Sequence, residues 1–247
     1  MGRVLIIAKR EISSLFISPI AYVVLFLFLL FMGILFIWRI FTPGEVIELR
    51  TLTLFSRFAL FFVVPLLTMS MFSDEYRSGR IEMLRTSPLT ELDLLLGKFI
   101  GAMVFYLVLV ASTLLFLAIL MCFGRPDYGQ ILSCYLGMAL MGCMFVAVGL
   151  FFSACTAEQI VAAMAGMITL GMLTIIDYFA SSLPREIPLF KNFAIQIRSV
   201  VEYLTVGSHI GDFARGSVEL GNIVYFLGIA ALFLFWTYLV LESKKWR

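Results

Sequence analysis

Six stretches of this chain are apolar for about the length of a bilayer: residues 20–38, 55–72, 98–123, 131–153, 156–180 and 222–241. About 20 apolar residues in a row match the ~30 Å hydrocarbon core as a helix. In lipid, backbone N–H and C=O groups must be satisfied within the segment, and helices do that one segment at a time. Hydrophobic residues make up 62% of the 247, against roughly 45–50% in soluble domains. A soluble core could not hide that excess, so the sequence predicts an all-α integral membrane protein forming a single transmembrane domain. The first segment is longer than a signal peptide's apolar core and lacks a small-residue cleavage site, so it is expected to be a retained span.

Lys and Arg orient the chain. Ten lie on the side of the N-terminus, the 73–98 loop and the tail, and eight on the other, four of these spread through the long 181–221 connection. Because short loops near span ends carry the orientation signal, both termini are expected in the cytoplasm. Residues 1–18 have apolar positions at Leu5, Ala8, Ile12, Leu15 and Phe16, with Lys9 and Arg10 elsewhere around the helix. That pattern suits an interfacial helix lying in the membrane surface with its cations among the headgroups. In the 181–221 connection, Pro184 and Pro188 break the preceding helix. Phe193, Ile197, Val200, Val201 and Leu204 then share one face, and Gly207 and Gly211 interrupt it. Short outer-side helices are expected there, either dipping into the outer leaflet or lying on it.

Nine charged residues fall between Ser73 and Lys98, although only 14% of the chain is charged. Asp74 and Glu75 follow the second span, as suits the positive end of a new helix. Gly79 either interrupts that helix or admits a close backbone. The "TSP" at 86–88 ends it, because a residue before proline is pushed out of the helical region. Thr90 and Asp93 have the spacing of a capping box opening the next helix. A bounded cytoplasmic element is therefore expected over 74–90, joined stiffly to the spans on both sides. Span three opens with Gly97-x-x-x-Gly101, and span five carries Ala162-x-x-x-Gly166 and Gly171, small-residue spacings that let helices approach closely. Asp177 is an acidic residue near the outer end of the fifth predicted span. It either faces a pathway or another subunit, or marks a solvated span end.

Several functions are disfavoured. With a formal net charge of +2 and no basic block, nothing suggests a nucleic-acid partner. Cys122, Cys134, Cys143 and Cys155 lack C-x-x-C spacing or a neighbouring His, so packing is their expected role and no metal site is predicted. A Cys122–Cys134 bridge stays open. "GSHIGDF" holds Ser208, His209 and Asp212, but adjacent Ser and His point to different sides of most backbones, so a membrane hydrolase is a weak alternative. An ATPase-independent channel is the other.

The charged stretch "DEYRSGRIEMLRTSPLTELDLLLGKFIGA" resembles the cytoplasmic loop of ABC-2 type transporter permeases. Their pattern runs acidic residue, basic residue, Gly-Thr, Glu, Leu, Ser/Thr-x-Pro and Gly-Lys. It is matched here by Glu75, Arg77, Gly79, Glu82, Leu84, Thr86 or Ser87, Pro88, Gly97 and Lys98, and departed from at Arg80. "AKREISSLFISPIAYVV" and the stretch from His209 to Arg247 are similar to the gliding-motility-associated permease subfamily. The resemblance implies a six-span exporter-type subunit of a bacterial inner membrane. It also implies pairing with a second permease, identical or not, and with two cytoplasmic ATPases, beside an auxiliary membrane component. Within it, the segment holding Glu75, Arg77, Gly79, Arg80, Glu82, Leu84 and Pro88 is a coupling helix that docks on the ATPase. The chain has no G-x-x-x-x-G-K-[ST], so ATP and Mg would be bound by the partner. The substrate is not encoded legibly.

Overall fold

The computed structural model describes residues 2–40, 49–79, 90–123, 127–182 and 205–244. Every regular element among them is a helix. α1 (Gly2–Ile17) meets α2 (Pro19–Ile40) at Ser18, with Pro19 in the first helical position, where its missing N–H costs no intrahelical bond. α3 (Leu49–Thr68) is followed by α4 (Ser70–Arg77), α5 (Glu91–Ser112) and α6 (Leu114–Phe123). Then come α7 (Tyr128–Cys155), α8 (Gln159–Ser182), α9 (Val206–Ala214) and α10 (Leu220–Ser243).

Among the described residues, five helical stretches are long and apolar enough to cross a bilayer: Pro19–Trp38, Thr53–Arg77, Glu91–Cys122, Tyr128–Cys155 and Leu220–Ser243. α8 has 24 residues, but its described apolar part, Gln159–Thr174, is shorter than a span. α7 is the central helix. Two thirds of its most apolar stretch (67%) is buried, against 17% for α10, whose outward faces are left to lipid. α7 can be central because glycines sit where neighbours press hardest. A Cβ on Gly142 would collide with the Tyr106 ring, and one on Gly149 with Thr68 Oγ1. The fully buried Tyr106 donates its hydroxyl to Met138 O of α7 at 2.7 Å, satisfying a polar group that lipid could not.

Two expectations are corrected here. Asp74 and Glu75 do not open a new helix. α4 begins at Ser70, one turn residue after α3, so the two carboxylates lie toward its C-terminal end, where the helix dipole does not favour them. Apolar Met71 and Phe72, both buried, close the hydropathy run inside α4, and the helix continues beyond it through Ser73–Arg77. Gly207 and Gly211 do not interrupt a helix either. Both lie inside α9, which is held by the wholly buried Ile210 and Phe213 against Gly137 of α7. α1 packs on the bundle along part of its apolar repeat: Ala8 and the neighbouring Ile7 are buried against α5, Ile12, Leu15 and Phe16 are half-buried, and Leu5 and Ile6 stay exposed. The patterned segment holding Phe193, Ile197, Val200, Val201 and Leu204 lies outside the described residues.

Candidate functional site

Local sequence sets the frame of the charged region. Thr90 and Asp93 form the capping box, with Asp93 N–H donating to Thr90 Oγ1 at 3.1 Å and Thr90 N–H to Asp93 Oδ2 at 3.3 Å. This fixes the start of α5. At the other boundary Gly79 has φ of +68°, a left-handed conformation open to glycine, and ends the described part of α4.

α4 is fastened to the bundle by two sets of contacts. In the first, Ser153 of α7 accepts from Phe72 N–H at 3.0 Å and Ser73 N–H at 3.3 Å, and donates to Met69 O at 2.9 Å. Ser73 in turn donates to Thr156 O at 2.9 Å. Gln159, the first residue of α8, donates its side-chain amide to Asp74. Lys244 reaches back from the end of α10 to donate to Ala154 O at 2.8 Å, with its ammonium 3.9 Å from the Tyr76 ring centroid. The α4 segment thus touches the ends of α7, α8 and α10.

The second set is ionic. Lys98 of α5 is 1% exposed and donates to Met71 O at 2.6 Å, Glu75 Oε1 at 2.8 Å and Glu11 Oε1 at 3.3 Å. Its three N–H groups match those three acceptors. Arg10 lies 2.8 Å from Glu11 and 3.5 Å from Glu75. Burial pushes the Glu11 carboxyl up, but Lys98 and Arg10 together outweigh it and hold the group below the usual carboxylate range. α1, α4 and α5 are therefore joined through one ammonium group. The second Glu75 oxygen, Oε2, is buried with no hydrogen-bond partner among the described residues.

Gly97 and Gly101 flank Lys98 and explain how α1 comes so near. A Cβ on Gly97 would stand 2.5 Å from Ile7 Cγ2, and one on Gly101 2.8 Å from Glu11 Cβ. The Gly-x-x-x-Gly surface is filled by α1. The corresponding surface of α8 faces α3: Ala162 is buried, and a Gly166 Cβ would meet Pro65 Cβ at 3.4 Å.

Of the sequence-predicted coupling residues, Glu75 is buried in the ionic cluster while Arg77 and Gly79 are exposed. Arg80, Glu82, Leu84 and Pro88 lie outside the described residues. Asp177 falls within α8. The burial of three charged residues was missed from sequence. Lys98 counts as a loop cation by hydropathy, yet it is inside the structure. Glu11 interrupts an apolar repeat, at four-residue spacing from Ile7 and Leu15, and that interruption was the available signal. Arg57, one of the eight cations counted on the side away from the N-terminus, is a buried residue of α3, 4% exposed, with its guanidinium 4.9 Å from the Phe58 ring centroid. The hydroxyl and imidazole of the weak hydrolase alternative turn to different neighbours. Ser208 donates to Thr205 O at 3.0 Å, whereas His209 Nδ1 lies 2.6 Å from Asn222 Oδ1 and its ring stacks on Tyr225. All four cysteines are free, Cys122 exposed and Cys134 buried.

An all-helical bundle with several apolar helices of spanning length, carrying a charged helix tied to several helix ends at one side, defines a multi-pass membrane protein. The model of the ABC-2 family transporter proteins matches residues 50–240, and the chain belongs to that family. No curated protein matches the chain. Membership makes it a membrane transport component and implies partnership with an ABC ATPase.

Proposed function

We propose that the chain is the permease subunit of an ABC-2 exporter of the bacterial inner membrane. It crosses six times with both termini in the cytoplasm, and works with a second permease copy or homologue and two ATPase subunits. The segment from Glu75 through Leu84 is its coupling helix, and the stretches similar to gliding-motility-associated permeases make that subfamily the nearest model for its partners. One observation carries this reading: the helix entering the charged loop and the helix leaving it are bonded to each other through Glu75 and Lys98. A push on the loop thereby reaches α3 through α4, α5 through Lys98, and α1 through Glu11. Gly97 and Gly101 keep α1 close enough to move with α5. Rigid-body shifts of this kind are how packed helices switch between discrete arrangements.

The test is copurification and coupling. The tagged permease, expressed with the reading frames beside its gene, should bring down a Walker A-containing ATPase. Charge reversal at Glu82 should then leave the protein inserted but separate ATP hydrolysis from transport. A permease that works without any ATPase would contradict the proposal.

A further inference from the structure

The end of the bundle opposite Lys98 holds a cavity of about 20 Å³ between α2, α3, the α5–α6 junction and α7. Its lining is unusual in donor type. Met32, Cys134 and Met138 bring two thioethers and a thiol, and Thr53, Ser56, Thr113 and Tyr135 bring hydroxyls. Cys134 and Met138 are four residues apart on α7 and so share one helix face. The Ser56 hydroxyl donates to Met138 Sδ at 3.2 Å, and the Thr113 and Tyr135 hydroxyls lie 3.1 Å apart. Cys134 is fully buried, with Met32 1% and Met138 4% exposed.

We infer that this cavity binds a single soft monovalent cation of the Cu(I) or Ag(I) type through Cys134, Met138 and Met32. Size is the first reason: a space of this order holds about one water-sized particle, which excludes an organic ligand. Charge is the second. The lining has no carboxylate or imidazole, so a hard divalent ion would be buried without compensation. A monovalent ion on one thiolate makes a neutral site. Donor chemistry is the third, since thiolate and thioether sulfur select Cu(I) over the harder cations. On binding, the Cys134 thiol releases its proton to solvent and a metal–sulfur bond forms, with no change in oxidation state. Ser56 is a positioning residue, holding the Met138 thioether by its hydrogen bond.

The inference is independent of the ATPase partnership and is tested on the purified full-length chain. Cu(I), kept reduced by ascorbate, is competed against bicinchoninate in a background where Cys122, Cys143 and Cys155 are serine. This background removes the exposed thiols and the Cys143 thiol, which lies 3.9 Å from Met103 Sδ. One bound Cu(I) per chain is expected, with Cys134→Ser abolishing it. Met138→Leu and Met32→Leu, nearly volume-conserving changes that cores tolerate, should each weaken binding by about tenfold or more, and Ser56→Ala by about 10-fold to 100-fold. Absence of binding in the background protein would overturn the inference. So would binding that survives Cys134→Ser, or is indifferent to both methionine variants.

Discussion

Lys98 Nζ stands 2.8 Å from Glu75 Oε1 across 23 residues of sequence, and both side chains are almost wholly removed from solvent. Buried pairs of this kind contribute little beyond a well-packed apolar replacement, but removing one partner leaves the other charge stranded. Lys98→Met is therefore expected to destabilise the protein by about 3–5 kcal/mol. Adding Glu75→Gln and Glu11→Gln to Lys98→Met should recover much of that loss. Unfolding in mild detergent checks both. Strict additivity of the three changes would show that the groups do not act as one cluster.

Docking of α1 should fail when its seat is filled. Gly97→Leu and Gly101→Leu place side chains where Ile7 and Glu11 now lie. Overpacking of this sort costs about 1–3 kcal/mol, and here the simplest relief is displacement of α1. Tryptic cleavage at Lys9 and Arg10 should accelerate in both variants and stay slow in the parent. Equal cleavage rates would place α1 elsewhere.

The same contact gives a pH dependence whose sign follows from Glu11. Its folded pKa lies below the ordinary value of 4.5, held there by Lys98 and Arg10 against the effect of burial. A depressed carboxyl contributes stability that is fully present above the unfolded value and lost as pH falls through the folded one. α1 is thus expected to stay docked at neutral pH and to loosen only as pH falls past the ordinary carboxylate value and through the depressed folded value of Glu11. Protease sensitivity of α1 measured against pH should show that step, and Glu11→Gln should remove it.

Ser153 is the neutral counterpart of Lys98 on the other side of α4. Ser153→Ala strands the Phe72 and Ser73 N–H groups inside the bundle, at a cost of about 1–3 kcal/mol. Ser153→Thr keeps the hydroxyl and should cost less. Hydrogen exchange at residues 70–77 should rise in the alanine variant, and unchanged protection there would argue against the anchoring role.

How much of this was legible depended on distance along the chain. The Thr90–Asp93 capping box and the turn at Gly79 are written in three or four adjacent residues, where backbone geometry dictates the residue type. Helix composition likewise gave away the apolar bundle. The partners of Lys98 were not legible, because Glu11 lies 87 residues away and no local rule connects them. Charge counting says nothing of the burial of Lys98 and Arg57, since hydropathy averages cannot separate a cation at a span end from one turned inward. The direction of α4 was missed for a related reason. Met71 and Phe72 carry the helix on, and its carboxylates are balanced by Lys98, Arg10 and Gln159 rather than by a helix start.

The central claim is that Lys98 transmits movement of the charged loop into α5. It is tested most directly by the distance between spin labels at the exposed positions Ser78 and Leu92, in the permease reconstituted with its ATPase. In the parent complex, trapping the ATPase with vanadate is expected to carry both labels together, so their separation holds while each shifts relative to α10. In Lys98→Met combined with Glu75→Gln and Glu11→Gln, which recover much of the lost stability, ATP turnover should persist while the Ser78 label moves alone and the separation changes. Labels that move together equally well without Lys98 would contradict the account.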